Sequence, residues 1–262
     1  MSNYSLSGFS GLTPVVKNLL ILNVAMFVIG IVLRMTGGFD MVHLLGLHYI
    51  SATEFKPVQL ISYMFLHATF DSQGQLVFTH IFFNMFALWM FGTILEQYWG
   101  AKRFFIFYMV CGIGAGLVQI LVAYIRLQNL TDGIPQEQLS ELMNVINTQG
   151  AELIWQKKNY TDAFLGELNR VVNVPTVGAS GAIFGLLMAF GMLFPNAYLY
   201  IFFAIPMKAK YFVILYGALE LFLGMRNSAS DNVAHFAHLG GMIFAFILIM
   251  WWRKKGKSRY EI

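Results

Sequence analysis

Long apolar runs constrain this chain more than any other feature of its sequence. Six runs approach the length of a membrane span, at residues 15–35, 76–98, 104–125, 177–194, 211–225 and 233–252. A helix that crosses a bilayer needs about 20 mostly apolar residues, so these runs predict six transmembrane helices. The fourth and fifth runs are short, and we expect them to start below the membrane surface or to lean against their neighbours.

The composition agrees with a membrane protein. Hydrophobic residues make up 58% of the chain and charged residues 11%, with a mean hydropathy of +0.63. Soluble domains carry about 25% charged residues, which this chain lacks. Cys111 is the single cysteine, so an internal disulfide is excluded. The sequence therefore predicts an all-α polytopic membrane protein in a lipid bilayer, and it does not fit a soluble domain, a disordered chain or a disulfide-stapled module.

The charged residues cluster at the ends of the apolar runs and indicate the topology. Six spans put both termini on one side, together with ten of the 17 basic residues: Lys17, Lys102, Arg103, Lys208, Lys210, Arg253, Lys254, Lys255, Lys257 and Arg259. Basic residues favour the cytoplasm, so we expect cytoplasmic termini and outward loops at 36–75, 127–176 and 226–232, in the inner membrane of a bacterial cell. A topology signal of this kind does not indicate nucleic-acid binding.

The longest polar stretch, residues 127–172, lies between the third and fourth spans. Pro135 suits a first helical position, and apolar residues at near-helical spacing follow it. We expect an outer insertion with one or two amphipathic helices, which either lies on the membrane surface or covers the mouth of a site.

Polar residues in the outer parts of three spans carry the candidate chemistry. His80 and Asn84 open the second span, Ser180 the fourth, and His235 and His238 the sixth. A serine, a histidine and fixed hydrogen-bond donors are what serine acyl-transfer chemistry requires. Each residue alone also has a structural interpretation, since small residues pack helices together and buried amides and histidines bond between helices.

The spacing of small residues favours the catalytic interpretation. Gly181 and Gly185 are four residues apart beside Ser180, and Gly241 and Ala245 repeat that spacing one turn after His238. Two such helices can approach closely enough for proton transfer between serine and histidine, at about 2.6–3.2 Å.

With these residues the chain resembles the rhomboid intramembrane serine proteases. The motifs that carry the resemblance occur in family order: His80-x-x-x-Asn84, Glu96-Gln-Tyr-Trp-Gly100, Gly178-x-Ser180-Gly181 with an aromatic at Phe184, and Ala237-His238-Leu-Gly-Gly241. The resemblance covers about residues 17–252 and matches the 127–172 insertion weakly. It implies a six-helix rhomboid bundle with an extended outer loop between helices 3 and 4.

The resemblance also implies roles for single residues. Ser180 would be the nucleophile and His238 the general base of a dyad without a third carboxylate. The backbone N–H of Ser180 and the side chains of His80 and Asn84 would hold the oxyanion. Gly178, Gly181, Phe184 and Gly241 would support the site. The expected substrates are transmembrane proteins cut within or beside their spans, and no metal or other cofactor is expected.

Other functions remain open from the sequence. The chain could be a catalytically inactive rhomboid-like protein that binds membrane clients, or a transporter that uses intramembrane histidines and Glu220. A metalloprotease is disfavoured, because His235-x-x-His238 lacks a nearby acidic ligand and His-Glu-x-x-His is absent. Glu220 itself fits a structural acid better than a proton relay, and we expect His235 to lie near the outer surface.

Overall fold

A computed structural model describes residues 11–71, 74–201, 204–226 and 234–255. Its helices are α1 (Pro14–Gly37), α2 (Met41–Leu45), α3 (Gln59–Ser62), α4 (Thr79–Ala87), α5 (Thr93–Trp99), α6 (Ala101–Thr131), α7 (Gln136–Val145), α8 (Ala151–Trp155), α9 (Ala163–Asn173), α10 (Ser180–Leu193), α11 (Ala209–Arg226) and α12 (His235–Lys255). A 3₁₀ turn (Tyr63–Phe65) extends α3. The π-helical turns Leu88–Gly92 and Ile146–Gly150 join α4 to α5 and α7 to α8.

The prediction of an all-α membrane protein is confirmed. Within the described ranges, three helices, α1, α6 and α12, are long and apolar enough to cross a membrane, and α10 is a shorter apolar helix. Helix also covers the other predicted spans, from Thr79 to Trp99 and over α11. That all six cross the bilayer stays a prediction. The predicted sixth span starts at 233, and that residue, the loop at 227–232, Lys257 and Arg259 lie outside the described residues.

A pair of short strands between α10 and α11 was not predicted. Strands β1 (Tyr198–Ile201) and β2 (Ile205–Lys208) form an antiparallel hairpin in which Tyr198 lies opposite Lys208. The apolar and aromatic residues of this segment resemble a run of spanning helix in composition, so hydropathy alone does not reveal the turn.

Small residues let the central helices α6, α10 and α12 pack against each other. A Cβ on Gly241 of α12 would overlap the carbonyl of Gly181 on α10, and a Cβ on Gly181 would overlap the Ala115 side chain of α6. Backbone therefore meets backbone where α10 crosses α12, and a methyl group meets backbone where α6 crosses α10, as in membrane helices that associate without a hydrophobic driving force. Buried apolar residues such as Leu186, Ala189 and Ala245 complete this core.

The outer helices present apolar side chains away from the core. On α1 and α11, Val28, Ile214 and Phe222 are half exposed or more. A soluble protein rarely exposes such a large apolar surface, whereas a bilayer solvates it.

A buried carboxylate holds the beginning of α1. Glu96, near the end of α5, accepts hydrogen bonds from the backbone N–H groups of Val15 and Val16 at 3.0 and 2.9 Å and from the Thr13 hydroxyl at 2.6 Å. The first N–H groups of a helix have no partner within it, so this carboxylate satisfies two of them from a distant part of the chain.

The 127–172 insertion forms its own small core. Ile146, Leu168 and Val172 are buried against Tyr49 and Ala52 of the loop before α3. Asn173 donates to the carbonyl of Ile146 at 2.8 Å and ties α9 to the π-helical turn. The α9 helix continues toward the loop that leads into α10.

Candidate active site

Ser180 is the first residue of α10, and a strained glycine sets the loop before it. Gly178 has φ = 126°, a conformation that side chains rarely adopt. Its N–H donates to the carbonyl of Tyr63 at 2.9 Å, and Thr176 forms a two-way backbone bridge with Leu47. Backbone hydrogen bonds to Tyr63 and to Leu47 therefore hold the loop that precedes Ser180.

Ser180 meets His238 where α10 and α12 approach most closely. The Ser180 Oγ lies 2.8 Å from the Nε2 atom of His238. The contact bridges 58 positions of sequence, and the backbone packing of Gly181 against Gly241 makes it possible. The structure thus brings together the two side chains expected to carry the chemistry.

An aromatic ring holds the imidazole of His238 in place. The Phe184 ring stacks on it with centroids 4.2 Å apart and planes 6° apart. Phe184 follows Ser180 by one helical turn, so α10 contacts both a ring nitrogen and a ring face of the same histidine. The ring of Tyr216 on α11 lies 5.0 Å from that of Phe184.

His80 lies beside the serine loop. A Cβ on Gly178 would be 3.1 Å from Cε1 and Nε2 of His80 and 3.5 Å from Ser180 Oγ. The imidazole of His80 and the hydroxyl of Ser180 therefore both lie next to Gly178. Only glycine allows the loop this close to the ring. The His80 ring also contacts the ring of His67, with centroids 5.1 Å apart.

Asn84 lies one turn after His80 on α4, and its amide faces its own helix. The Nδ2 atom donates to the carbonyl of His80 at 2.8 Å. A primary amide carries two N–H groups, so this contact leaves a second donor on Asn84 Nδ2.

His67 is buried in the loop before α4. Neither ring nitrogen has a hydrogen-bond partner among the described residues. Burial, with a smaller contribution from His80, lowers the pKa of His67 to about 3, so this imidazole is neutral at physiological pH.

A large open cavity reaches the serine. Its volume is about 1980 Å³, and its lining includes His80, Asn84, Ser180, Phe184 and His238. Ser180 and His238 at the starts of their helices are therefore accessible through a cleft, as hydrolysis at membrane depth requires.

Glu220 of α11, which the sequence indicates as a structural acid, lies beside His238, and this contact was not predicted. Its Oε2 atom lies 2.8 Å from Nδ1 of His238 and 2.7 Å from Nδ1 of His235. The resemblance implied a dyad without a carboxylate. In the structure a carboxylate lies next to Nδ1 of His238, the ring nitrogen that does not face Ser180. His235 is the first residue of α12, and its side chain is buried. The sequence feature that could have indicated this contact with His238 is the position of Glu220 as a single acidic residue within an apolar run.

The same three residues are where a metal ion could bind within the described part of the chain. The ligand atoms of Glu220, His235 and His238 lie within 4.8 Å of one another. Both Nδ1 atoms also lie at hydrogen-bond distance from one oxygen, Oε2 of Glu220.

Comparison with known proteins identifies the family. A model of the rhomboid domain matches residues 54–127 and 142–255. This chain belongs to the rhomboid family. It is also 26% identical over 182 residues to "Rhomboid protein 1, mitochondrial" of Saccharomyces cerevisiae. That match covers 70% of this chain and 40% of the yeast protein.

Family membership has a general consequence. The protein is an integral membrane protein of a family that comprises intramembrane proteases and inactive relatives of them. The gap in the family match, residues 128–141, lies within the 127–172 insertion and includes the first part of α7. The family model thus passes over one part of the insertion and matches the rest of it.

Proposed function

We propose that this rhomboid is an intramembrane serine endopeptidase, with Ser180 as nucleophile and His238 as general base. The observation that carries the proposal is the 2.8 Å hydrogen bond between Ser180 Oγ and His238 Nε2. A serine hydroxyl is a weak nucleophile at neutral pH and needs such a base beside it. An inactive relative would not need this pair, the stacked Phe184 ring and an open cavity in one place.

The reaction follows from this geometry. Ser180 Oγ attacks the scissile carbonyl while His238 Nε2 takes the hydroxyl proton. Collapse of the tetrahedral intermediate breaks the C–N bond, and His238 returns the proton to the leaving amine. Water from the cavity then hydrolyses the acyl-enzyme, with His238 again as base. The products are a new carboxylate, a new amine and the free serine.

Three donors are proposed to stabilise the oxyanion. The N–H of Ser180, the first residue of α10, has no partner within its own helix. His80 is adjacent, and Asn84 would donate the amide N–H that its contact with the carbonyl of His80 does not use. Each donor is expected to contribute about 10²- to 10³-fold to kcat, as in soluble serine proteases.

The substrates are proposed to be transmembrane helices that unwind easily. A peptide bond in a regular helix is shielded by i→i−4 hydrogen bonds, and glycine or proline weakens them. Replacing such residues near the cleavage site with leucine is therefore expected to slow cleavage. Equal cleavage rates for the two substrates would contradict this part of the proposal.

The cleft is proposed to open on the outer side of a bacterial inner membrane. Arg103 of α6 lies 4.0 Å above the Trp252 ring of α12, and Arg253 donates to the carbonyl of Met192 on α10 at 3.1 Å. The basic helix ends thus share one end of the bundle, while Ser180 and His238 start the opposite ends of their helices. Because basic ends favour the cytoplasm, reporters fused at the 127–172 insertion and at the C-terminus should report outside and inside, respectively. An insertion that reports inside and a C-terminus that reports outside would contradict the proposed orientation of the cleft.

The decisive test of activity is cleavage in proteoliposomes. Wild-type protein is incubated with a panel of single-span substrates, and Ser180→Ala is expected to lose on the order of 10⁶-fold in kcat. Ser140→Ala is the matched control, because that exposed hydroxyl on α7 donates only to the carbonyl of Glu137 in the structure. Cleavage by Ser180→Ala at the wild-type rate would refute the proposal.

A further inference from the structure

The proposed mechanism leaves a buried carboxylate unexplained. Glu220 is 4% exposed, on a helix whose neighbouring side chains are apolar. An ionised carboxylate away from water is costly unless hydrogen bonds compensate for its charge. Here two imidazole nitrogens, Nδ1 of His235 and Nδ1 of His238, both lie within 2.8 Å of Oε2.

We propose that Glu220 is a positioning residue for His238, so that the working unit is Ser180–His238–Glu220 with His235 as a second donor to the carboxylate. This inference rests on the proposed function of Ser180 and His238. It replaces the two-residue unit that the sequence resemblance implied with a chain of three side chains from three helices.

The first step concerns the tautomer of His238. A neutral imidazole has one N–H and one lone pair, and only a lone pair on Nε2 can accept the proton of Ser180. An ionised carboxylate accepts hydrogen bonds and cannot donate one. Glu220 at 2.8 Å from Nδ1 therefore selects the tautomer with its proton on Nδ1 and leaves Nε2 free for Ser180 Oγ.

The second step concerns charge during the reaction. When His238 takes the serine proton it becomes an imidazolium, and the negative charge of Glu220 is in contact with its other nitrogen. The pair is buried, so solvent screens this attraction weakly. The carboxylate thus stabilises the protonated histidine that exists only after attack, which is a gain in kcat rather than in substrate binding.

The third step concerns His235. It precedes His238 by three residues on α12, so both rings face α11. Its Nδ1 atom shares the same Oε2 atom at 2.7 Å. This donor compensates for buried negative charge and fixes the carboxylate, while Phe184 fixes the ring from the other side. The imidazole of His238 thus contacts Ser180, Glu220 and the ring of Phe184.

A purely structural role is the competing explanation, since Glu220 also links α11 to α12. The two roles predict different kinetics. Loss of a structural link lowers the melting temperature and the folded fraction but leaves kcat per folded molecule intact. Loss of tautomer control lowers kcat and leaves KM unchanged, because substrate binding does not involve Glu220.

The experiment measures cleavage by full-length variants in proteoliposomes. Glu220→Gln keeps the shape but offers an amide that can also donate, so kcat is expected to fall on the order of 10²- to 10⁴-fold with KM unchanged. Glu220→Asp keeps a carboxylate and is expected to recover part of the loss. Glu96→Gln is the matched control: it also removes a buried carboxylate, but one that contacts the beginning of α1, so kcat should stay at the wild-type value.

A second measurement needs no variant of Glu220. In wild-type protein with ¹⁵N-labelled histidine, the resonances of His238, assigned with His238→Ala, should show a protonated Nδ1 and an unprotonated Nε2 at neutral pH. A proton on Nε2 would overturn the inference, as would wild-type kcat for folded Glu220→Gln. A failure of the proposed function would give another result, namely that Ser180→Ala cleaves the substrate as well as the wild type does.

Discussion

The close crossing of α10 and α12 gives the sharpest prediction about how the fold creates the site. Gly241→Ala adds one methyl group on α12, and that Cβ overlaps the carbonyl of Gly181 on α10. The overlap is with backbone, which no rotamer change relieves. Restoring an ordinary van der Waals separation of about 3.5 Å requires the helices to move apart by roughly 1 Å or more.

The consequence for chemistry can be worked out from the same contact. Ser180 and His238 lie one turn or less from this crossing, and their 2.8 Å hydrogen bond would lengthen to about 3.8 Å, beyond hydrogen-bond range. A misplacement of 1 Å can cost about 10²-fold in rate, so we expect kcat to fall by at least that factor. Overpacking is also expected to cost about 1–3 kcal/mol of stability.

The assay is cleavage of a single-span substrate in proteoliposomes, together with thermal melting in detergent. Gly30→Ala on α1 is the control, because its Cβ would make an ordinary 3.6 Å contact with Thr69. That variant should cleave at the wild-type rate and melt at the same or a higher temperature, since alanine favours helix over glycine. Wild-type kcat in Gly241→Ala would refute the claim that this crossing sets the serine–histidine distance.

Three further predictions test other parts of the site. Gly178→Ala forces a side chain into φ = 126° and against the His80 ring, so kcat should fall about tenfold or more, measured by substrate cleavage; normal activity would contradict the fixed loop. Phe184→Leu removes the ring stacked on His238 and should cost about 0.5–1.5 kcal/mol in kcat/KM, while Phe184→Tyr should retain activity. His67 has a pKa of about 3 in the folded protein and about 6.5 when unfolded, so the unfolded state binds more protons below pH 6.5. The free energy of unfolding should then fall by up to about 1.4 kcal/mol per pH unit toward pH 3, and His67→Gln should flatten that slope in melting curves; equal slopes would refute it.

Much of the fold was predictable because the bilayer fixes the length of a spanning helix. The apolar runs at 15–35, 104–125 and 233–252 predict the helices α1, α6 and α12, although α6 continues to Thr131, inside the stretch predicted as the outer insertion. The meeting of Ser180 with His238 was also accessible, because small residues four apart on two helices specify where backbones can touch.

Other features depend on contacts that no local pattern encodes. The pairing of Glu220 with His238 depends on the rotation of α11 about its own axis, and an apolar run around a single acid does not define that rotation. The loop at Gly178 packs beside the His80 ring on another helix, a contact that the local sequence does not specify. The pairing of β1 with β2 likewise depends on neighbours, because β-branched and aromatic residues suit strand and span equally well.

The account's central claim is that His238 activates Ser180, and covalent labelling tests this most directly. Purified protein in detergent is treated with a fluorophosphonate, and the modified residue is located by mass spectrometry. The account predicts one adduct on Ser180 in the wild type and almost none in His238→Ala of equal thermal stability. Equal labelling of Ser180 without His238, or labelling at another residue with Ser180 unmodified, would contradict it.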